Sequence, residues 1–327
     1  MKRVAILDDY QGEVLALADW KRLDGRASID LFRDTLARED ELVARLAPYE
    51  IVVPIRERTR FPGSLLKRLP ALRLLALTGK NSGHVDVAAA TAASILVADT
   101  EGSGPAAIEH SIALLMALVR RIPQDDRAVR EGRWQTGFGL ELAGKTLGIL
   151  GLGRIGGRVA AFGQFLGMRV VAWGPTLTDE RAKAAGVERL ELDALFRESD
   201  VISVHLRLSD TTRGLVGARQ LEAMKPTAYL VNTARGPLVD EAALVRALRE
   251  RRIAGAALDV FDEEPLPRDH PFLGLGLDNV VMTPHTGYVT REAYRAFFSG
   301  VVDNIDAYLR GEVPARCLNP EARETRP

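Results

Sequence analysis

Several things are scarce in this 327-residue chain, and each scarcity removes a class of function. Cysteine is reduced to one residue, Cys317, so no internal disulfide can form and a disulfide-stapled secreted scaffold is excluded. Excess charge is absent: Lys plus Arg and Asp plus Glu stand at 44 each, which leaves no bulk field to draw nucleic acid or an anionic membrane. Long apolar runs are missing too. The run "IALLMALV" is far too short to cross a bilayer. No signal-peptide pattern precedes the apolar opening "VAILDD", so the expectation is a soluble, cytoplasmic protein whose partner is a small molecule rather than nucleic acid or membrane.

What is present is alternation. Short apolar runs at 4–7, 29–31, 51–53, 74–77 and 95–98 are separated by segments of helical period, and a second series follows at 146–150, 170–173, 201–204, 229–232, 255–259 and 280–282. Strands alternating with helices signify parallel sheets, so the chain reads as α/β with two Rossmann-like or flavodoxin-like domains and a cleft between them. Between the two series, "AAIEHSIALLMALVRRI" (106–122) predicts one deeply buried helix stopped by Arg120, Arg121 and Pro123, followed by the polar stretch "PQDDRAVREGRWQTGFGLELAGK". A last helix is expected over about 291–310. Its return to the first series divides the chain into 1–99 plus 290–327 as substrate domain and 100–289 as dinucleotide domain.

The second series opens with "TLGILGLGRIGG", which sets Gly151, Gly153 and Gly156 in G-x-G-x-x-G spacing after an apolar strand and before a helix. The first glycine makes the turn, the second admits a pyrophosphate to the backbone, and the third lets helix and strand pack closely. Phosphate then meets the amides at the helix N-terminus. The first series opens instead with "LDDYQGEV", one glycine and two acids, and is not phosphate-ready.

One expected residue is lacking. The strand that follows the fingerprint ends "VVAWGPTLT", with Gly174 where an acid usually meets the adenosine ribose. Such an acid contributes roughly 1.5–3 kcal/mol per charge-assisted hydrogen bond and repels a 2′-phosphate. Gly174 supplies neither effect, so NADP is not excluded here. Thr176 and Thr178 offer hydroxyls to ribose or phosphate, Asp179 and Glu180 begin the next helix, and the nearest base is Arg181. The cofactor is therefore NAD or NADP.

Three later stretches each put a titratable side chain just past a strand: "VNTARGPLVDE" with Arg235, "LDVFDEEPLP" with Asp259 and Glu264, and "MTPHTGYVT" with His285. Reduction of a 2-oxo acid needs a cation for the carboxylate and carbonyl, a proton donor for the developing alkoxide, and a partner that keeps the donor charged. Arg, His and Glu are those types.

In "ELAGKTLGILGLGRIG", "VHLRLSDTTRGLV", "MKPTAYLVNTARGPLVDE", "ALDVFDEEPL" and "NVVMTPHTGY" the chain resembles, in order and spacing over nearly its whole length, the D-specific 2-hydroxyacid dehydrogenase family. The resemblance implies an NAD(P)-dependent oxidoreductase acting between a small 2-oxo acid, such as glyoxylate or hydroxypyruvate, and its D-2-hydroxy acid. It implies Arg235 on substrate, His285 as general acid/base and Glu264 as its partner. It also implies a cofactor set of Gly151, Gly153, Arg154, Ile155, Gly156, Gly174, Thr176, His205, Thr233, Asp259 and Gly287, with Asp259 toward the nicotinamide. Substrate contacts would come from Arg235, from the backbone around Lys80 and Asn81 in "TGKNSGHVD", which departs from the commoner Gly-Val-Gly-Val pattern, and from Arg56, unless Arg56 is simply an exposed cation. The family's usual homodimer would use "DDRAVREGRWQTGFG" as an arm, unless Trp134 is buried within the monomer.

An alternative of another class is an NAD(H)-sensing binding protein akin to transcriptional corepressors, and formate or phosphite oxidation shares the fold. The Arg, Glu and His together argue against the first, and the Glu–His pairing against formate chemistry. Phosphoglycerate is a less attractive substrate, since no regulatory domain follows residue 310 and "RERTR" is the one basic cluster suited to a phosphate. No metal site is expected.

Overall fold

The computed structural model describes residues 1–80, 83–102, 104–274 and 279–323. Two compact units emerge, Met1–Gly104 with Val289–Pro327 and Pro105–Tyr288.

The first unit carries β1 (Lys2–Ile6), β2 (Ala27–Leu31), β3 (Ile51–Val53), β4 (Leu74–Ala76) and β5 (Leu96–Ala98), with α1 (Glu39–Leu46), α2 (Gly63–Leu66) and α3 (Val87–Ala92) between them. All five strands pair in parallel in the order β2-β1-β3-β4-β5. In this doubly wound order the strand sequence reverses between β1 and β3, and ligands bind outside the carboxyl ends at that point. β3, β4 and β5 are fully buried three-residue runs, as sheets covered on both faces require.

The second unit begins with α4 (Ala106–Val119) and α5 (Ile122–Arg130), then alternates β6 (Thr146–Leu150), α6 (Arg154–Phe165), β7 (Arg169–Trp173), α7 (Asp179–Ala184), β8 (Glu188–Arg189), α8 (Leu192–Glu198) and β9 (Val201–Val204). It continues through α9 (Ala218–Ala223), β10 (Tyr229–Asn232), α10 (Glu241–Arg249), β11 (Gly255–Leu258), α11 (Pro271–Gly274) and β12 (Val280–Met282). Seven strands form one parallel sheet, β12-β11-β10-β9-β6-β7-β8. Its reversal falls between β6 and β9, immediately after which the fingerprint glycines sit. Both sheets are thus parallel α/β, the class that the alternation predicts.

α12 (Arg291–Leu309) belongs to the first unit. Thr290 caps it by accepting the Ala293 amide, and Ala293, Tyr294, Phe297, Phe298, Val301, Val302 and Ile305 form its buried face. The Phe298 ring lies 6.1 Å from Trp20, and Asp306 receives Arg22 and Arg26 at 3.1 and 2.5 Å. These contacts tie the returning helix to the chain's opening.

Two local expectations differ from the structure. The helix over 106–122 breaks at Val119, because Arg121 adopts the left-handed conformation (φ 55°) and Pro123 occupies the first turn of α5, where its missing N–H costs nothing. The polar stretch after it therefore starts as a helix. The edge strand β8 has two residues and no apolar signature, so periodicity does not reveal it.

α6 shows how tightly the fingerprint is packed. Gly156, Val159, Ala160 and Gly163 form its buried face at helical spacing. A Cβ on Gly156 would stand 2.1 Å from the Gly151 carbonyl oxygen, and one on Gly163 2.5 Å from Leu147. On Gly174, by contrast, a Cβ meets nothing nearer than Leu177 at 3.7 Å. Gly156→Val is accordingly expected to destabilise by about 1–3 kcal/mol and lower Tm by roughly 3–10 °C, whereas Gly174→Ala leaves it within about 2 °C. Differential scanning calorimetry of the two variants checks this, and equal Tm values would show the helix–strand contact to be loose.

Candidate active site

The turn after β6 is shaped by steric necessity. Gly151 sits at φ 98°, and a Cβ there would press to 2.9 Å on the His205 carbonyl and the Leu206 amide nitrogen. Its amide donates to the Trp173 carbonyl at 2.8 Å, so the loop is pinned to the end of β7. Gly153 is the N-cap of α6 and a Cβ on it would meet nothing within 4 Å. That is an open cradle at the start of a twelve-residue helix, with Arg154 exposed and Ile155 half-buried in the first turn. Such a cradle fits a dinucleotide's pyrophosphate, which needs backbone amides and no side chain in the way. His205 follows β9 with its Nε2 2.8 Å from Ser203 Oγ. Burial pushes its pKa down to about 4, so it faces this turn uncharged at neutral pH.

Gly174 and Thr176 lie in the loop after β7, and Thr176 is exposed. Thr178 caps α7, its Oγ accepting the Arg181 amide at 3.3 Å. Arg181 folds back so that its guanidinium donates to the Thr176 carbonyl at 2.8 Å. A side chain built on Gly174 would start 3.9 Å from the Gly151 Cα, beside the fingerprint turn.

The three stretches after β10, β11 and β12 each end at the carboxyl edge of this sheet. Asn232 closes the turn after β10, its Oδ1 accepting the Ala234 amide at 3.1 Å and its Nδ2 donating to the Arg235 carbonyl at 2.9 Å. Gly236 then lets this turn press on the next loop, since a Cβ would fall 2.1 Å from the Phe261 carbonyl. Glu264 is held there by the Phe261 amide, which donates to its Oε1 at 2.9 Å. Its other oxygen, Oε2, lies 2.6 Å from His285 Nδ1. The imidazole edge meets the Tyr288 ring at 5.5 Å. Glu264 and His285, 21 residues apart, are thus joined by a carboxylate–imidazole hydrogen bond that leaves Nε2 as the outward nitrogen.

Asp259, at the end of β11, is 1% exposed. Its Oδ1 receives Thr283 Oγ1 at 2.6 Å, the Thr286 amide at 2.8 Å and His110 Nε2 at 3.2 Å, and its Oδ2 receives the Gly287 amide at 2.9 Å. Burial raises the pKa of this carboxyl, but the bonds from His110, Thr283 and Thr286 outweigh burial and hold it below the usual carboxylate range. Thr233 Oγ1 lies 2.6 Å from Ser111 Oγ on α4. His110 and Ser111 escape a reading based on strand ends, because they lie on α4, which looks like a plain buried helix, and Thr283 escapes it because, though at a strand end, it carries no charge. What marks them in the sequence is only the polar triplet "EHS" inside an otherwise apolar helix, which does not name their partners.

In the first unit, Arg56 is not an exposed cation. Its side chain is 15% exposed, its guanidinium donates to the Thr78 carbonyl at 2.9 Å, and its backbone is left-handed at φ 56°. Gly79 stays a glycine because a Cβ would stand 2.0 Å from that guanidinium. Lys80 is exposed and paired with Glu101 at 2.9 Å, while Asn81 lies outside the described residues. The acids of "LDDYQGEV" turn inward: Asp8 accepts the Thr35 and Thr59 hydroxyls at 2.6 and 2.7 Å, and burial raises its pKa.

Residues 112–287 match the D-isomer specific 2-hydroxyacid dehydrogenase, NAD binding domain, family. The chain is 43% identical over 277 residues to glyoxylate reductase of Aeropyrum pernix, covering 82% of each chain. It is 42% identical over 257 residues to D-3-phosphoglycerate dehydrogenase of Archaeoglobus fulgidus, covering 78% of this chain but only 48% of that longer one. The crystal structure of a phosphoglycerate oxidoreductase from Vibrio cholerae superposes with a TM-score of 0.90 at 38% identity, covering 95% of this chain and 100% of the other. Sequence motifs, two parallel sheets and these relatives agree: the chain belongs to the D-isomer specific 2-hydroxyacid dehydrogenases, oxidoreductases that use NAD or NADP on small 2-hydroxy and 2-oxo acids.

Proposed function

We propose that this chain reduces a small 2-oxo acid of the glyoxylate or hydroxypyruvate kind to the D-2-hydroxy acid. The observation that carries the reading is the 2.6 Å bond between His285 Nδ1 and Glu264 Oε2. A carboxylate on Nδ1 stabilises the imidazolium and fixes Nε2–H as the proton to be given. Arg235, one residue from the Gly236 contact with the Glu264 loop, holds the substrate carboxylate and polarises the carbonyl with its planar fork. As charge develops on the carbonyl oxygen, His285 delivers its proton there and leaves a neutral imidazole. The nicotinamide cofactor, when bound, supplies the hydride. Asp259, Thr233 and Gly287 line its nicotinamide end in this reading, and Gly151, Gly153, Arg154, Ile155 and Gly156 its pyrophosphate. Arg56, Lys80 and Asn81 in the first unit serve the substrate. The second unit is the dinucleotide domain and the first the substrate domain. The NAD(H)-sensor alternative draws no support from the relatives, which are enzymes.

Gly174 keeps both dinucleotides admissible, and the Arg181 guanidinium on the Thr176 carbonyl places a cation in the same loop. The protein works in the cytoplasm as a homodimer. What supports the dimer is a run of exposed apolar side chains along α5 and the segment after it: Ile122 and Val129 are each 55% exposed, Trp134 77% and Phe138 98%. Trp134 is thus not buried within its own chain, and four such side chains in seventeen residues form a patch suited to a partner.

Three outcomes follow from this reading. With glyoxylate and hydroxypyruvate as oxidants of NADH and NADPH at 340 nm, His285→Ala and Arg235→Ala are expected to lose about 10²–10⁴-fold in kcat/KM while circular dichroism stays native; full activity in both would end the proposal. Gly174→Asp is sterically accepted and moves the NADH/NADPH ratio of kcat/KM toward NADH by roughly 10- to 150-fold, the worth of one charge-assisted bond. An unmoved ratio would mean that Gly174 does not face the ribose. In light scattering after gel filtration the wild type gives a dimer mass and Trp134→Glu with Phe138→Glu a monomer; a wild-type monomer contradicts the arm.

A further inference from the structure

His110 sits in the first half of α4, next to Ser111 on a helix whose other buried residues are apolar, and its half-buried ring turns Nε2 toward two polar atoms. Its Nε2 lies 3.0 Å from Thr283 Oγ1 and 3.2 Å from Asp259 Oδ1. The Thr283 hydroxyl has one proton, and that proton goes to Asp259 Oδ1 at 2.6 Å. Asp259, ionised, only accepts. Both atoms that face Nε2 therefore present lone pairs, so Nε2 must carry a hydrogen, shared between them. The network fixes the tautomer without any reference to substrate.

The same atoms enclose the turn that bears His285. Thr283 takes the His285 amide on its carbonyl at 3.0 Å and donates its own amide to Leu258 at 2.9 Å. Asp259 takes the amides of Thr286 and Gly287. Gly287 lies so close to this assembly that a Cβ would stand 3.0 Å from Asp259 Oδ2 and 3.5 Å from His110 Cδ2. His285 itself is left-handed at φ 51°, a conformation that costs a non-glycine residue on the order of 1–3 kcal/mol and persists only where its surroundings over-determine it. The next residue of α4, Ser111, reaches the Thr233 hydroxyl at 2.6 Å in the turn that leads to Arg235. One turn of α4 thus touches the strand-end turns that lead to Arg235 and to His285.

We propose that His110 is a positioning residue: through Asp259 and Thr283 it holds the 283–287 turn so that His285 stays in the left-handed conformation that puts its Nδ1 on Glu264. The proposal rests on the reading of His285 as the acid/base, and the two fail differently. If His285→Ala keeps activity, the functional reading falls whatever His110 does.

The test joins kinetics with a measurement on the unmodified protein. His110→Leu removes the shared hydrogen and is expected to lower kcat by about 10- to 100-fold, the range that misplacement of a reacting group produces, with the dissociation constant of NADPH or NADH, read by fluorescence quenching, within about threefold of wild type. His110→Gln restores a side-chain N–H at the position of Nε2 and recovers most of kcat. In ¹⁵N-labelled wild type, the His110 ring shows the Nε2–H tautomer at neutral pH by long-range ¹H–¹⁵N correlation. Wild-type kcat in His110→Leu, a Gln variant as impaired as the Leu variant, or the Nδ1–H tautomer would each overturn the proposal, and the last does so even if neither variant folds.

Discussion

A carboxylate with 1% of its surface exposed is costly unless donors surround it, and the placement of Asp259 therefore dictates what stands around it. The short segment Thr283 to Gly287 supplies two hydroxyls and two backbone amides, and His110 supplies a ring nitrogen. The segment cannot relax without stripping hydrogen bonds from a buried anion. That constraint is what holds His285 at a positive φ, and His285 in turn meets Glu264 at 2.6 Å. One buried carboxylate thus sets the geometry of the whole turn that bears His285.

Around that hub the second sheet does the rest by register. β10, β11 and β12 run parallel and adjacent, so the turns after them, with Arg235, Glu264 and His285, emerge at one edge. Gly236 brings the first two turns into backbone contact, and Gly151 does the same for the fingerprint turn and His205. The reversal of strand order between β6 and β9 opens that edge beside Gly153. The fingerprint turn and the turns bearing Arg235, Glu264 and His285 thus share one edge of one sheet.

Much of this was legible in the sequence for a physical reason. Buried parallel strands must be continuous apolar runs, so six of the seven strands of the second sheet and four of the five of the first stand out, half-buried β2 showing only Ile29 and Leu31 around Asp30, and fingerprint spacing records a steric demand that the 2.1 Å clearance at Gly156 makes concrete. β8 did not stand out, because a two-residue edge strand at Glu188 and Arg189 needs no apolar face. Arg120, Arg121 and Pro123 carry the signature of a helix stop, yet Pro123 serves equally to start a helix, and local sequence does not separate the two roles. His110 and Ser111 were invisible for another reason: their partners Asp259, Thr283 and Thr233 lie more than 100 residues away, and no local period encodes such pairing. Arg56 was ambiguous until its contact with Thr78 removed it from the surface.

The central claim is that Glu264 and His285 act as one unit in proton transfer. A double-mutant cycle in kcat, with Glu264→Ala, His285→Ala and the pair, measures this directly on 2-oxo acid reduction. If the two residues work through their shared hydrogen bond, the double variant is no slower than His285→Ala alone. Losses that multiply would show that they contribute independently and would contradict the account.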